Sequence, residues 1–185
     1  DALTQSISST NNGWQSGGLS KNKLSSGESG AVSYSVEETG THKMFGLATE
    51  NSGGSYGSIS YAIYTGLGGT YIYEKGSYKG YYGRHLATDQ FTVERLGTNI
   101  HYKKNGLTFH TTSNIDVNQE LFVDVSIYNL GASYSKVTTS FGIPIKVDTE
   151  ITHVNPETLA AGEIILNTTG GIPPYSYQWS NGATT

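Results

Sequence analysis

The sequence has no cysteine, one methionine and four prolines among 185 residues, and only 14% of its residues are charged. Without cysteine there can be no disulfides and no thiolate metal sites, so the fold must stand on packing and hydrogen bonds. That absence suits an exported bacterial protein, although a cytosolic one can share it. No run approaches the ~18 apolar residues that cross a bilayer as a helix, so membrane insertion is not expected. No charged-then-apolar leader precedes Asp1, and export would therefore depend on a leader already removed. The net charge of −4 argues against bulk nucleic-acid binding.

What the sequence does have is 24 glycines and 14 tyrosines, the composition of short strands joined by tight turns. Apolar and polar residues alternate with period two in Ala31–Val36, Ser60–Tyr64, Thr70–Glu74, Phe91–Glu94, Ile100–Lys103, Leu107–His110 and Val123–Ile127. Between them lie Gly68-Gly69, Lys75-Gly76, Gly97 and Asn105-Gly106. Asn-Gly tolerates the two positive φ angles of a type I′ turn, so Asn99–Lys104 and Leu107–Thr112 should form a hairpin. No segment carries a sustained 3.6-residue apolar stripe with caps, and helix should be nearly absent. About ten strands in ~150 residues predict an all-β fold, a two-sheet antiparallel jelly-roll sandwich. After Ile143-Pro144-Ile145 the texture changes, which places a domain at 1–147 and a linker with a short partial second β unit at 148–185.

Three stretches, Ile59–Tyr64, Tyr71–Gly76 and Asp89–Arg95 running into Ile100–Gly106, together resemble a concanavalin-like jelly-roll module of bacterial surface proteins and polysaccharide-active enzymes. The resemblance covers roughly residues 30–142 and implies the fold more than any ligand. Farther along, Gly170-Gly171-Ile172-Pro173-Pro174-Tyr175 continuing to Thr185 resembles the SprB-type repeat of Bacteroidetes cell-surface adhesins. That second resemblance implies an extracellular or cell-surface location and a larger parent protein with further domains, since the repeat family continues beyond this point with more strands.

Glycoside hydrolysis needs two carboxylates flanking the scissile bond, and the Glu-x-Asp-x-x-Glu pattern that would place them on one strand face is missing. Glu37 and Glu38 are adjacent and should point to opposite faces, while Glu74, Glu94 and Asp124 each stand alone and read as solvated strand carboxylates. His42, His85, His101, His110 and His153 have no zinc spacing. The glycine-rich Gly66–Gly69 lacks the following Lys-Ser/Thr and helix of a phosphate cradle. Asp116, Asn118 and Glu120 carry the oxygens a calcium loop would use but read first as a solvated loop, with calcium as the alternative, so no cofactor is expected. An enzyme is not expected.

The informative segment is Tyr71–His85, where aromatic and cationic residues crowd together. Tyrosine offers sugar C–H groups a flat apolar face and keeps its hydroxyl in water. Residues 71–110 hold six cations against three carboxylates, a net +3 inside an acidic protein. Lys75, Lys79 and Arg84 would add charge-assisted hydrogen bonds to an anionic glycan. The expectation is a non-catalytic carbohydrate-binding module whose partner is a polysaccharide held by Tyr56, Tyr78, Tyr81, Tyr82, Arg84 and His85, with Lys75 and Lys79. Removing Tyr81 and Tyr82 together should weaken binding in a folded protein. The rival expectation is a structural or adhesive cell-surface module contacting protein partners, with its tyrosines serving as ordinary strand residues.

Overall fold

Arg95 shows how strictly alternation governs this chain. It lies on a strand whose Phe91 and Val93 enter the core, and although charged it follows them inward and is fully buried. Its guanidinium is satisfied by backbone: it donates to the carbonyls of Glu28 at 2.6 Å and Gln119 at 2.7 Å, and also to that of Ser25. A buried cation thus ties two loops to one end of the fold.

The computed structural model describes residues 5–14, 16–49, 55–141, 146–154, 161–169 and 175–184. The chain divides into two compact units, Asp1–Phe141 and Gly142–Thr185. The first holds twelve strands: β1 (Gln5–Ser8), β2 (Ser16–Leu24), β3 (Gly30–Val36), β4 (Lys43–Ala48), β5 (Tyr61–Gly66), β6 (Gly69–Glu74), β7 (Ser77–Arg84), β8 (Gln90–Leu96), β9 (Asn99–Lys104), β10 (Leu107–Ser113), β11 (Leu121–Ile127) and β12 (Ser133–Thr139). One sheet has the order β1-β12-β3-β8-β9-β10 and the other β2-β11-β4-β5-β6-β7, with antiparallel pairing throughout. The chain meanders through β4–β7 in one sheet and β8–β10 in the other. Elsewhere it crosses between them, which is the jelly-roll path. Helix among the described residues is confined to one 3₁₀ turn, Tyr56–Ser58.

The core lies between the sheets. Val32, Tyr34 and Val36 of β3 and Phe91 and Val93 of β8 face Phe45 and Leu47 of β4, Ile63 of β5 and Ile72 of β6, all fully buried. Tyr34 stacks on Phe45 across the sheets at 4.2 Å between centroids. The β9–β10 turn has Asn105 at φ 52° and Gly106 at φ 81°, the pair of positive angles expected from Asn-Gly.

In the second unit, β13 (Lys146–Thr152) and β14 (Glu163–Thr169) form an antiparallel ribbon from Lys146↔Thr169 to Thr152↔Glu163. The Tyr177 hydroxyl hydrogen-bonds to that of Thr168 at 2.9 Å, bringing the later residues onto this ribbon.

Candidate functional site

The alternation that sends Phe45, Ile63 and Ile72 into the core turns their neighbours to the opposite face of the same sheet. Strand register then assembles them into ranks. One rank runs Ser126–Met44–Tyr64–Tyr71–Tyr81 across β11, β4, β5, β6 and β7, and the next runs Asp124–Gly46–Ala62–Tyr73–Tyr78. Met44, Ile59 and Ala62 form a small buried cluster under this face, with Trp14, Tyr56, Tyr64 and Tyr73 packed against it. It is distinct from the main core.

The rings form one continuous tract. Trp14 contacts Tyr56 at 5.2 Å, Tyr64 at 5.9 Å and Tyr128 at 5.4 Å. Tyr64 lies 5.3 Å from Tyr71 and 5.6 Å from Tyr73, and Tyr71 lies 5.2 Å from Tyr81. Tyr73 meets Tyr56 at 6.5 Å and Tyr78 at 5.6 Å. Exposure reaches 57% at Tyr78, 53% at Tyr81 and 40% at Tyr128. Burial, reinforced by the neighbouring Tyr73 and Tyr71, pushes the Tyr64 hydroxyl up to about 12, so it stays a neutral hydrogen-bonding group, and it shares a hydrogen bond with His42 Nδ1.

Glycine sets how these rings lie. A Cβ on Gly69 would fall 2.6 Å from the Tyr71 hydroxyl and 2.8 Å from two of its ring carbons, and one on Gly66 would fall 2.6 Å from the Tyr64 hydroxyl. Each ring therefore leans along its own strand over a glycine two positions away, where any other side chain would lift it off the sheet.

The eight residues expected at the site do not share one surface. Tyr56, Tyr78 and Tyr81 belong to the tract. Tyr82 turns the other way, packing on the core beside Phe109 at 5.3 Å, with its hydroxyl 2.8 Å from His110 Nδ1. His85 is 3% exposed, meets Phe91 edge-on inside the sandwich, and has its pKa lowered by burial. Lys79 reaches Glu74 at 3.8 Å, Lys75 occupies the exposed β6–β7 turn, and exposed Arg84 pairs with Gly69 at the far end of β7. Two register shifts in β7 decide which of its tyrosines share a face. Each inserts one extra residue opposite β6, so Tyr78 and Tyr81, three apart, share a face that strict alternation would deny them. Gly83, at φ 88°, lies in one of these bulges.

The named candidates left out Trp14, His42, Tyr64 and Tyr128, and also Tyr71 and Tyr73, although these two fall in the Tyr71–His85 segment. The usable signal was that Tyr64, Tyr71 and Tyr73 flank the aliphatics Ile63 and Ile72, so polar aromatics occupy the face away from the core. Two carboxylates read as solvated are not. Glu74 Oε1 accepts hydrogen bonds from the hydroxyls of Tyr102, at 2.7 Å, and Thr112. Asp124 lies in the second rank at 4% exposure. Burial pushes its carboxyl up to about 6, outweighing hydrogen bonds from the Ser58 hydroxyl at 3.0 Å and from backbone.

In the loop weighed for calcium, Asp116 accepts from the Asn118 N–H at 3.0 Å and Glu120 pairs with Lys23 at 2.6 Å. Among the described residues no three His, Asp or Glu side chains converge as a metal site. A separate cleft of about 250 Å³ lies between β1 and β2, lined by Ile7, Ser16, Gly18 and Val125, and none of the tract residues lines it.

A family model described as the SprB repeat matches residues 159–184, a segment that includes β14. No curated protein matches the sequence. Among solved structures, an alginate lyase from Corynebacterium sp. is similar at 14% identity and a TM-score of 0.42, covering 65% of this chain and 63% of that one. The chain thus spans less than two thirds of that enzyme's length. A Bacillus licheniformis β-glucanase is similar at 10% identity and a TM-score of 0.39, over 66% of this chain and 68% of that chain. Sheep galectin-11 is similar at 12% and 0.33, over 75% and 97%. At such identities and scores none of the three says what this chain binds; what the chain shows of itself is an all-β jelly roll followed by a match to an adhesin-type surface repeat.

Proposed function

We propose that this is a non-catalytic carbohydrate-binding module of an exported bacterial protein, holding a polysaccharide on the outer tyrosine face of β5, β6 and β7. The observation that carries the reading is the continuous tract from Trp14 and Tyr128 through Tyr64 and Tyr71 to Tyr81, with rings leaning over glycines. Ring faces of this kind bury the C–H surface of a sugar, and the phenolic hydroxyls meet its hydroxyls. The SprB match supports a cell-surface setting within a larger parent protein.

The carboxylates support a role without catalysis. Among the described residues Asp124 is the one acid in the two ranks, and Glu74 is turned to Tyr102 and Thr112, so no pair flanks a bond laid across the tyrosines. The test is affinity electrophoresis of the protein against a polysaccharide panel, with the Tyr71→Ala/Tyr81→Ala variant alongside. Loss of two ring contacts should weaken retention by at least about tenfold. Equal retention of a folded double variant removes this face as the site, and release of reducing sugar by the wild type removes the non-catalytic reading.

The repeat match is also the observation that favours the second reading, an adhesive module that contacts protein. That reading expects no retention by any glycan and the same exposed tyrosines.

A further inference from the structure

The sequence carries a basic run at residues 71–110, and the fold takes that run apart. Lys79 lies 3.8 Å from Glu74, and Lys103 pairs with Glu94 at 2.6 Å. Arg95 is buried among three carbonyls, while Lys104 donates to the carbonyl of Arg84 at 3.0 Å. Of the six cations, this leaves Lys75 and Arg84 without a carboxylate or carbonyl partner among the described residues. They stand far apart on the sheet, Lys75 in the β6–β7 turn and Arg84 at the other end of β7.

Between them the face is uncharged or acidic. Its two ranks hold Ser126, Met44, Tyr64, Tyr71 and Tyr81, then Asp124, Gly46, Ala62, Tyr73 and Tyr78, with no Lys or Arg. The elements packed on this face add His42, bonded to Tyr64, and the 3₁₀ turn, which brings Tyr56 and Ser58. A carboxylate or sulfate centred on these rings would give up hydration for tyrosine hydroxyls and His42, with a buried acid in the adjoining rank and Arg84 only at the β7 edge of the rank that holds Gly69. A neutral sugar makes the same ring and hydroxyl contacts without that cost.

We infer that the tyrosine face selects an uncharged glycan and discriminates against its acidic counterpart. This rests on the glycan-binding reading and names the ligand class for the same face. It reverses what the basic run suggests on its own.

The experiment uses matched probes: soluble neutral polysaccharides, hydroxyethylcellulose and galactomannan among them, and the same polymers oxidised at C6 to carboxylates. Retention of the full chain is measured at low ionic strength and again at about 0.5 M salt, where exposed charge attraction is largely screened. The expected result is retention by at least one neutral polymer, unchanged by salt and weaker by about tenfold or more on its oxidised form. Tighter, salt-sensitive retention by an oxidised polymer, lost in Lys75→Ser/Arg84→Ser, overturns the inference and leaves glycan binding standing. Retention by neither set overturns both readings.

Discussion

Asp124 offers a quantitative check on the way this face is built. Its carboxyl is 4% exposed and accepts from the Ser58 hydroxyl at 3.0 Å, yet burial raises its pKa from 3.8 to about 6. The unfolded chain releases this proton near pH 4, whereas the folded protein holds it until about pH 6. Stability contributed at low pH is therefore lost as pH rises between those values, and the full penalty persists above them. A two-unit shift corresponds to about 3 kcal/mol at most.

Asp124→Asn keeps the size of the side chain and an acceptor for Ser58 while removing the charge. It should stabilise the sandwich above pH 7 by up to about 3 kcal/mol, or several degrees in Tm for a domain of this size, and have little effect at pH 4. Thermal unfolding followed by near-ultraviolet dichroism of the tyrosine tract, from pH 4 to 8, gives the curve directly. A pH-independent difference, or an Asn variant less stable above pH 7, would falsify the claim that this carboxylate is held against its preference for water.

Three other expectations come from the same packing. Gly69→Ala should shift the Tyr71 ring, because the new Cβ falls 2.6 Å from its hydroxyl. The ring end is free to swing, so glycan retention should drop while stability stays within about 1 kcal/mol of wild type; unchanged retention would show that ring pose does not matter. Glu38→Gln should destabilise the protein by about 3 kcal/mol in urea titration, because Lys43 is fully buried against this carboxylate and would keep an unpaired charge. Lys43→Met should cost less, and a larger loss would refute the pairing argument. Tyr78→Ala/Tyr81→Ala removes side chains that are more than half exposed. It should reduce retention with stability nearly unchanged, whereas including Tyr82 would also open the core at Phe109, so that a loss of binding could not be separated from a loss of fold.

Most strands were legible because period-two alternation survives along them. Tyr71-Ile72-Tyr73 reads as half-buried, and Ile72 is in the core. Asn105-Gly106 fixed a two-residue turn because few other pairs accept both positive angles. The sidedness of β7 was not legible. Its bulges shift the register twice within eight residues, so Tyr78 and Tyr81, three apart, share a face that plain alternation would deny them. Partners distant in sequence were hidden for another reason. Trp14, just ahead of β2, meets Tyr64 of β5, a strand separated from β2 by β11 and β4 in the sheet, and no local pattern announces that contact.

Charge is the signal that the fold disperses most, and the reason is general. A cation count along the chain records proximity in sequence, whereas a binding surface needs cations on one face, and in a strand neighbouring positions diverge. The six cations of residues 71–110 spread over three strands and a turn in two sheets, and four of them are engaged by carboxylates or carbonyls. The tyrosines behave oppositely, because the same alternation that separates charges gathers every second ring. Tyr64, Tyr71 and Tyr73 need only adjacent registers to become ranks, and Gly66 and Gly69 need only sit two positions away to let them lean along the strand. In a chain this rich in tyrosine and glycine, the spacing between the two residue types is thus the better pointer to a gathered aromatic face, and Tyr-x-Gly at residues 64–66 with Gly-x-Tyr at 69–71 marks where the proposed binding face is centred.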